Sequence, residues 1–134
     1  MVNNDLKNIY RTKSKHIYYI YMIECANSSY YTGITTDLTR RFNEHRLKIG
    51  AKYTKAFRAN RIRAVWKTKS IDNSRSIASK LEYYIKKLNR NQKEILISND
   101  KIFKYYFDNL IDIKLYKRLS DVEIDKYMNR GKYA

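Results

Sequence analysis

The order of hydrophobic and polar positions predicts a small α/β domain. Residues 17–23, IYYIYMI, are apolar or aromatic throughout, and residues 30–35, YYTGIT, resume β-forming chemistry after the turn residues CANSS. Two such runs are typical of a β-hairpin. Residues 61–68, RIRAVWKT, begin with alternating charged and apolar side chains, which favours a third strand with one solvated face.

An amphipathic helix is predicted between the second and third strands. Thr36 or Asp37 can cap its N terminus, and Gly50 follows its end near residue 48. Four side chains fall within about 40° of one another at ~100° per residue and form one inward stripe: Leu38, Phe42, His45 and Ile49.

The rest of the chain is predicted to be mainly helical. A helix from Asn73 or Ser74 to about residue 89 buries Ile77, Leu81, Tyr84 and Leu88, and a short helix follows at 91–98. Two more short helices are expected at about 101–112 and 120–130. We therefore divide the chain into a polar arm (1–16), a domain (17–98) and a helical C-terminal extension (99–134).

The charge of the chain favours a nucleic-acid partner. Lys and Arg number 29 against 13 Asp and Glu, which gives a net charge of +16. Such an excess attracts polyanions, and counterion release makes the binding depend on salt. The alternative is an AT-rich coding bias, since Lys, Asn, Ile and Tyr are abundant and Pro is absent.

Cysteine usage and the N-terminal sequence predict a cytoplasmic protein. Cys25 is the only cysteine, so an internal disulfide and a cysteine-based zinc site are excluded. No run approaches the ~20 apolar residues of a membrane span, and residues 1–16 lack the apolar centre of a signal peptide. An organellar presequence is the alternative for this basic, polar segment.

Polar groups at the edges of the helix stripes are candidates for chemistry. Arg41 lies about 80° and His45 about 40° from the centre of the first stripe, whereas Arg40 points to the opposite face. Glu82 lies about 110° from the middle of its own stripe, where it can face a cleft. Each has an ordinary alternative: His45 as a core histidine, and Glu82 as the surface partner of Lys86 four residues later.

The combination of these residues is more specific than any one of them. Tyr21, Tyr31-x-Gly33, Arg41, His45 and a helical Glu82 together resemble the GIY-YIG nuclease superfamily. The two half-motifs are Tyr19-Ile20-Tyr21 and Tyr31-Thr32-Gly33. The strings YTGITTDLTRRFNEH (31–45), GAKYTKAF (50–57) and LEYYIKKLNRNQKE (81–94) resemble its small stand-alone bacterial members, the YhbQ-like group. The resemblance covers roughly residues 17–97.

This resemblance implies an α+β fold with a three-stranded antiparallel sheet flanked by helices, and a DNA endonuclease that uses one Mg²⁺ or Mn²⁺ ion. The implied catalytic residues are Tyr21, Tyr31, Arg41, His45 and Glu82, with Glu82 as the metal ligand. A fixed guanidinium suits the charge that develops on phosphate oxygens. A hard cation is often held by one carboxylate plus water and phosphate. Which tyrosine deprotonates the attacking water stays open.

Two positions depart from the family pattern. Tyr19 replaces the glycine of the first half-motif, which changes the backbone freedom beside the site. Glu94 stands where many members have an asparagine about twelve residues after the metal ligand.

Further residues are predicted to contact nucleic acid. They are Gly33, Arg40, Lys52, Lys55 and Arg58, and the last three can equally form a solvated face. Within the enzyme class, a branch-selective repair nuclease and a mobile-element endonuclease are less expected than a stand-alone nuclease with modest sequence preference.

The alternative function is a non-catalytic protein that binds DNA or structured RNA on the same scaffold. It is suggested by residues 103–119, FKYYFDNLIDIKLYKRL, whose interleaved aromatic and basic side chains suit base stacking. A helix that covers the domain is the other interpretation of this segment.

Overall fold

The computed structural model of the chain describes residues 15–47 and 59–129. The strands are β1 (Tyr19–Cys25), β2 (Tyr30–Thr35), β3 (Ala59–Thr68) and β4 (Tyr116–Arg118). The helices are α1 (Leu38–Arg46), α2 (Ser74–Lys87), α3 (Arg90–Ser98), α4 (Lys101–Phe107) and α5 (Asp121–Asn129), with a 3-10 turn at Ile113–Leu115.

The strands form one antiparallel sheet in the order β2-β1-β3-β4. The hairpin register places Tyr21 opposite Gly33 and Tyr19 opposite Thr35. The expected α+β class with helices flanking an antiparallel sheet is confirmed, but the sheet has four strands instead of three. The fourth strand is too short to give a clear pattern, and it exists because Tyr116–Arg118 pairs with the end of β3.

Alternation along β1 divides the interior into two cores. Ile20 and Met22 face one side, where they pack with Leu81 and Ile85 of α2. Tyr21 and Ile23 face the other side, in the core that contains Leu38 of α1. Because adjacent strand residues point to opposite faces, the fully apolar run that predicted this strand fills both cores at once.

The C-terminal segment, residues 99–129, contributes to both cores. Phe107 and Ile111 join the core on the α2 side, and Leu119 and Ile124 join the core on the α1 side. Of the aromatic side chains proposed for base stacking, Phe103, Tyr106, Phe107 and Tyr116 instead pack against or within the protein, whereas Tyr105 is 82% exposed. The structure thus favours the covering interpretation of this segment.

Arg118 ties the C-terminal segment to the end of α3. Its guanidinium donates to the carbonyl oxygens of Leu96 and Ile97 at 3.1 and 2.6 Å, and it pairs with Asp100. The same group lies over the ring of Trp66, 5.5 Å from the centroid. A guanidinium is suited to this position because the last carbonyls of a helix lack partners within the helix.

The two site helices begin differently, α1 with a local capping bond and α2 with a bond to a distant residue. Asp37 caps α1, since its carboxylate accepts a hydrogen bond from the Arg40 backbone N–H at 3.0 Å. Asn73 precedes α2 without a side-chain capping bond, and the Ser74 hydroxyl instead donates to the carbonyl of His16. No helix in the described ranges is long and apolar enough to span a bilayer.

Candidate active site

The centre of the site is the phenol of Tyr21, which lies directly over Gly33 of the neighbouring strand. A Cβ atom placed on Gly33 would come within 2.5 Å of the Tyr21 hydroxyl oxygen and 2.7 Å of Cζ. Gly33 is buried, and its role in the structure is to leave room for this ring. The second half-motif therefore needs a glycine, because any side chain at position 33 would collide with the Tyr21 ring.

Helix α1 brings Arg41 to the same hydroxyl. The Arg41 Nε–H donates to the Tyr21 hydroxyl oxygen at 3.3 Å, and the Arg41 side chain is 27% exposed. Arg40, one residue earlier, is 63% exposed. The periodicity of the helix predicted this contrast, since consecutive residues are ~100° apart around the axis.

His45, one turn after Arg41, completes a hydrogen-bonded triad with Tyr21. The His45 Nε2 atom is 2.9 Å from the Tyr21 hydroxyl, and the imidazole has no exposed surface. Since Arg41 can only donate, the simplest pattern has the phenol accepting from Arg41 and donating to Nε2. His45 is thus both a core histidine and a member of the site, so the two interpretations from the sequence are compatible.

Burial sets the protonation states of this triad. Desolvation raises the pKa of Tyr21 above its ordinary value despite the hydrogen bond from Arg41, and the charges of Tyr31 and Glu82 add to the rise. Desolvation and the neighbouring Arg41 charge lower the pKa of His45 to about 4. At neutral pH the site therefore holds a protonated Tyr21, a neutral His45 and a charged Arg41.

Tyr31 lies on the same face of the sheet as Tyr21, but it is only half-buried. Its ring centroid is 4.9 Å from that of His45 and 6.2 Å from that of Tyr21. Arg41 also hydrogen-bonds Tyr31, and this bond helps to keep the pKa of the guanidinium above its usual value against the effect of burial. The two motif tyrosines thus share one arginine.

Glu82 is carried by α2, which packs on the opposite face of the sheet from Tyr21. Its charge is close enough to raise the pKa of Tyr21, and its side chain is 22% exposed. One carboxylate oxygen lies 3.4 Å from Lys86 Nζ, which is the surface pair that the sequence suggested as an alternative. The structure therefore contains that ion pair, and the same carboxylate also acts electrostatically on Tyr21.

The donor set fits only a cation that keeps most of its other ligands. In the described part of the chain, no three His, Cys, Asp or Glu residues cluster as a metal cage would require. Mg²⁺ and Mn²⁺ favour oxygen ligands, and Mg²⁺ is commonly held by one or two carboxylates together with water and substrate phosphate. Glu82 is suited to that kind of site and not to a structural zinc site, which needs four protein ligands.

The structure describes some of the remaining predicted residues and not others. Arg40 lies on the surface of α1, near Asp37 and Glu44. Lys52, Lys55 and Arg58 lie outside the described residues, so their proposed contacts stay predictions. Glu94, which replaces the family asparagine, is exposed on α3 and pairs with Arg90 at 3.2 Å.

The sequence analysis missed Arg75, which lines a cleft together with Arg40 and Arg41. A signal for it was present, because Arg75 is seven residues before Glu82 and two helical turns place both on one side of α2.

Tyr19, the other departure from the family pattern, has a partner in the C-terminal segment. Its hydroxyl lies 2.8 Å from that of Tyr127 on α5, and the two rings pack edge to face at 5.4 Å. The Thr39 hydroxyl of α1 donates to the Tyr127 carbonyl at 2.8 Å. The tyrosine that replaces a glycine thus connects the active-site strand to α5.

Comparisons with known proteins identify the family of the chain. The sequence model of the GIY-YIG catalytic domain matches residues 17–95. A UPF0213 protein of Fusobacterium nucleatum is 40% identical over 100 residues, which cover 75% of this chain and 96% of the relative. A UPF0213 protein of Halobacterium salinarum is 46% identical over 80 residues, or 60% of this chain and 99% of the relative.

A solved structure is also similar in sequence. The solution NMR structure of a UPF0213 protein from Bacillus halodurans is 34% identical, with a TM-score of 0.37, and the match covers 71% of this chain and 98% of that one. The domain match and the identity to the Fusobacterium relative lead to one conclusion: the chain belongs to the GIY-YIG family and groups there with the UPF0213 proteins.

Proposed function

We propose that the protein is an endonuclease that hydrolyses phosphodiester bonds in DNA with the help of one Mg²⁺ or Mn²⁺ ion. The observation that carries the proposal is the cluster of Tyr21, Tyr31, Arg41 and His45. Glu82 of α2 supports it, since its charge is near enough to raise the pKa of Tyr21. Stability alone gives no reason to bury a neutral histidine against a phenol and an arginine, since such polar groups lose hydration. The net charge of +16 supports a polyanionic substrate.

In this proposal Arg41 binds the scissile phosphate. Its side chain is held by Tyr21 and retains exposed surface, so the guanidinium can donate to a nonbridging oxygen without first being ordered. Preorganised donors of this kind stabilise the charge that develops during attack. Tyr21 accordingly acts as a neutral positioning group, because its hydroxyl is buried between Arg41 and His45.

We assign Tyr31 as the group that accepts a proton from the attacking water. It is less buried than Tyr21 and hydrogen-bonds Arg41, so its hydroxyl is held near the phosphate that Arg41 would bind. Glu82 would hold the divalent cation in place of its contact with Lys86. When bound, the cation supplies positive charge that polarises the phosphate.

The decisive experiment compares Glu82→Gln with Glu94→Gln. Both residues form an ion pair with a cation four positions away on a helix, at 3.4 and 3.2 Å, but of the two only Glu82 raises the pKa of Tyr21. Single-stranded, duplex and branched DNA are incubated with each protein and Mg²⁺ or Mn²⁺. We expect Glu82→Gln to lose at least about 100-fold of the cleavage rate while it still binds DNA, and Glu94→Gln to cleave like the unmodified chain.

Two outcomes would contradict the proposal. Equal rates for the two variants would remove Glu82 from catalysis. DNA binding without cleavage by the unmodified chain, in either metal, would leave the non-catalytic binding protein as the better account.

A further test separates the two tyrosines. Tyr31→Phe is expected to lose about 100-fold or more in rate with unchanged DNA affinity, because the proton acceptor is removed. Tyr21→Phe is expected to weaken both rate and affinity, since Arg41 loses the group that holds it. The same affinity loss in both variants would show that Tyr31 only supports the phosphate-binding arginine.

A further inference from the structure

A cleft opens beside the candidate site, at the end of β2. It has a volume of about 350 Å³. It is lined by residues 34 and 35 of β2, by Thr36 just after the strand, by Arg40, Arg41 and Glu44 of α1, and by Arg75 in the first turn of α2. The cleft is therefore lined by three arginines from two helices and by one carboxylate, that of Glu44.

The arginines in this cleft are weakly neutralised. Arg40 lies 3.9 Å from Asp37 and 3.8 Å from Glu44, and Arg41 lies 3.9 Å from Glu44, so each contact is at the long end of the ion-pair range. Arg75 is exposed and forms no ion pair with any residue in the described ranges. Long ion pairs of an exposed side chain such as Arg40 are weak, and an incoming anion can replace them.

The cleft is adjacent to the candidate site along both α2 and β2. Arg75 and Glu82 are seven residues apart on α2, which is about 10 Å along the helix axis. On the strand, the cleft is at Thr35, two residues beyond the Gly33 that lies under Tyr21. Since one strand of duplex DNA carries a phosphate every ~3.4 Å along its axis, the cleft falls within about three nucleotides of the cation-binding carboxylate.

We propose that this cleft is a second phosphate subsite, in which Arg75 and Arg40 hold a phosphate that flanks the scissile one on the same nucleic-acid strand. The inference rests on the proposed function, because the position of the scissile phosphate is set by Arg41 and Glu82. Guanidinium groups suit this ligand since each can donate two parallel hydrogen bonds to a phosphate. Arg75 is a binding residue here, with no part in the chemical step.

The first experiment measures how binding depends on salt. In the Glu82→Gln background, the affinity for a short fluorescein-labelled oligonucleotide is measured by anisotropy from ~50 to 200 mM salt. Arg75→Gln is expected to reduce the slope of log K against log[salt] by about 0.7 to 0.9 and to weaken binding about fivefold at ~0.1 M salt. Lys101→Gln, the same charge change on the exposed face of α4, is the matched control and is expected to change neither value.

The second experiment locates the phosphate. Single neutral methylphosphonate linkages are moved along the oligonucleotide. We expect neutralisation at one position within about three nucleotides of the cleavage point to weaken the Glu82→Gln protein. The same neutral linkage should have no further effect on Arg75→Gln, whereas Lys101→Gln should respond like its parent. Arg75→Lys, which keeps the charge, should recover most of the salt slope.

The results separate this inference from the proposed function. If the unmodified chain binds without cutting but Arg75→Gln still lowers the slope, the phosphate subsite stands and the nuclease proposal fails. If cleavage occurs while Arg75→Gln and Lys101→Gln behave alike, the nuclease stands and the subsite is wrong. Absence of oligonucleotide binding by the folded chain would overturn both.

Discussion

The site edge of the molecule and its C-terminal segment use the same residue types for different purposes. In the candidate site, the Tyr21 hydroxyl is hydrogen-bonded to Arg41 and to the neutral His45. In residues 99–129, Tyr116 and Arg118 instead satisfy backbone carbonyls, of Ile77 and of Leu96 and Ile97. Aromatic and basic side chains thus indicate function only where they meet each other and leave a group able to act on a ligand.

The two regions are joined at one place. Tyr127 of α5 contacts Tyr19 of β1 and Thr39 of α1, which are two residues before Tyr21 and Arg41 respectively. The family match ends at residue 95, yet this later helix packs on the helix that carries Arg41 and His45. The C-terminal segment therefore stabilises the surroundings of the site without supplying any of its proposed chemistry.

The largest expected effect concerns the stability of the C-terminal segment. Phe107 is 1% exposed and Tyr105, on the same helix, is 82% exposed. Phe107→Ala should lower the free energy of unfolding by about 3 to 5 kcal/mol, because a buried ring leaves a cavity. Tyr105→Ala should stay within about 0.5 kcal/mol. Urea denaturation measures both, and similar losses would mean that this helix is not part of the core.

The next effect concerns the space under Tyr21. Gly33→Ala should displace the phenol, because the added Cβ would lie 2.5 Å from its oxygen. We expect the cleavage rate to fall about 100-fold through misplacement of Arg41, with a stability loss of about 1 to 3 kcal/mol from overpacking. Val122→Ala, at a position on α5 that is 66% exposed, is the control for a change outside the site. An unchanged rate in Gly33→Ala would show that the position of the phenol is not critical.

The pH dependence of stability tests the burial of His45. The pKa of His45 is about 4 in the folded protein and 6.5 in the unfolded chain. Between these pH values the unfolded chain binds more protons, so the free energy of unfolding falls as the pH falls. The stability that the protein gains from a neutral His45 is fully present above about pH 6.5 and decreases by at most a few kcal/mol toward pH 4. His45→Gln should have a flatter dependence over this range, as measured by urea denaturation at several pH values. Parallel curves for the two proteins would contradict a buried neutral histidine.

The smallest effect concerns the link between the two regions. Tyr127→Phe and Tyr19→Phe each remove one hydroxyl from the 2.8 Å pair and keep the rings. Each should cost about 0.5 to 1.5 kcal/mol of unfolding free energy, and the double variant should cost less than the sum. Strict additivity would show that the hydroxyls do not interact.

The helices and the hairpin were predictable because their patterns are local. Asp37 and its capping bond to Arg40, and the different exposures of Arg40 and Arg41, follow from helix geometry within a few residues. β4 was not predictable, because three residues carry almost no periodic signal and their pairing depends on where α3 and α4 direct the chain.

The sequence alone determined the spacing of the site residues, the faces of their helices and the excess of positive charge, since these depend on the order of residues and on backbone periodicity. Only the tertiary structure decided that the Tyr21 phenol lies over Gly33, that His45 is neutral and that the charge of Glu82 acts on Tyr21 from another helix. Those outcomes depend on desolvation and on contacts between residues far apart in the chain, which local pattern does not specify.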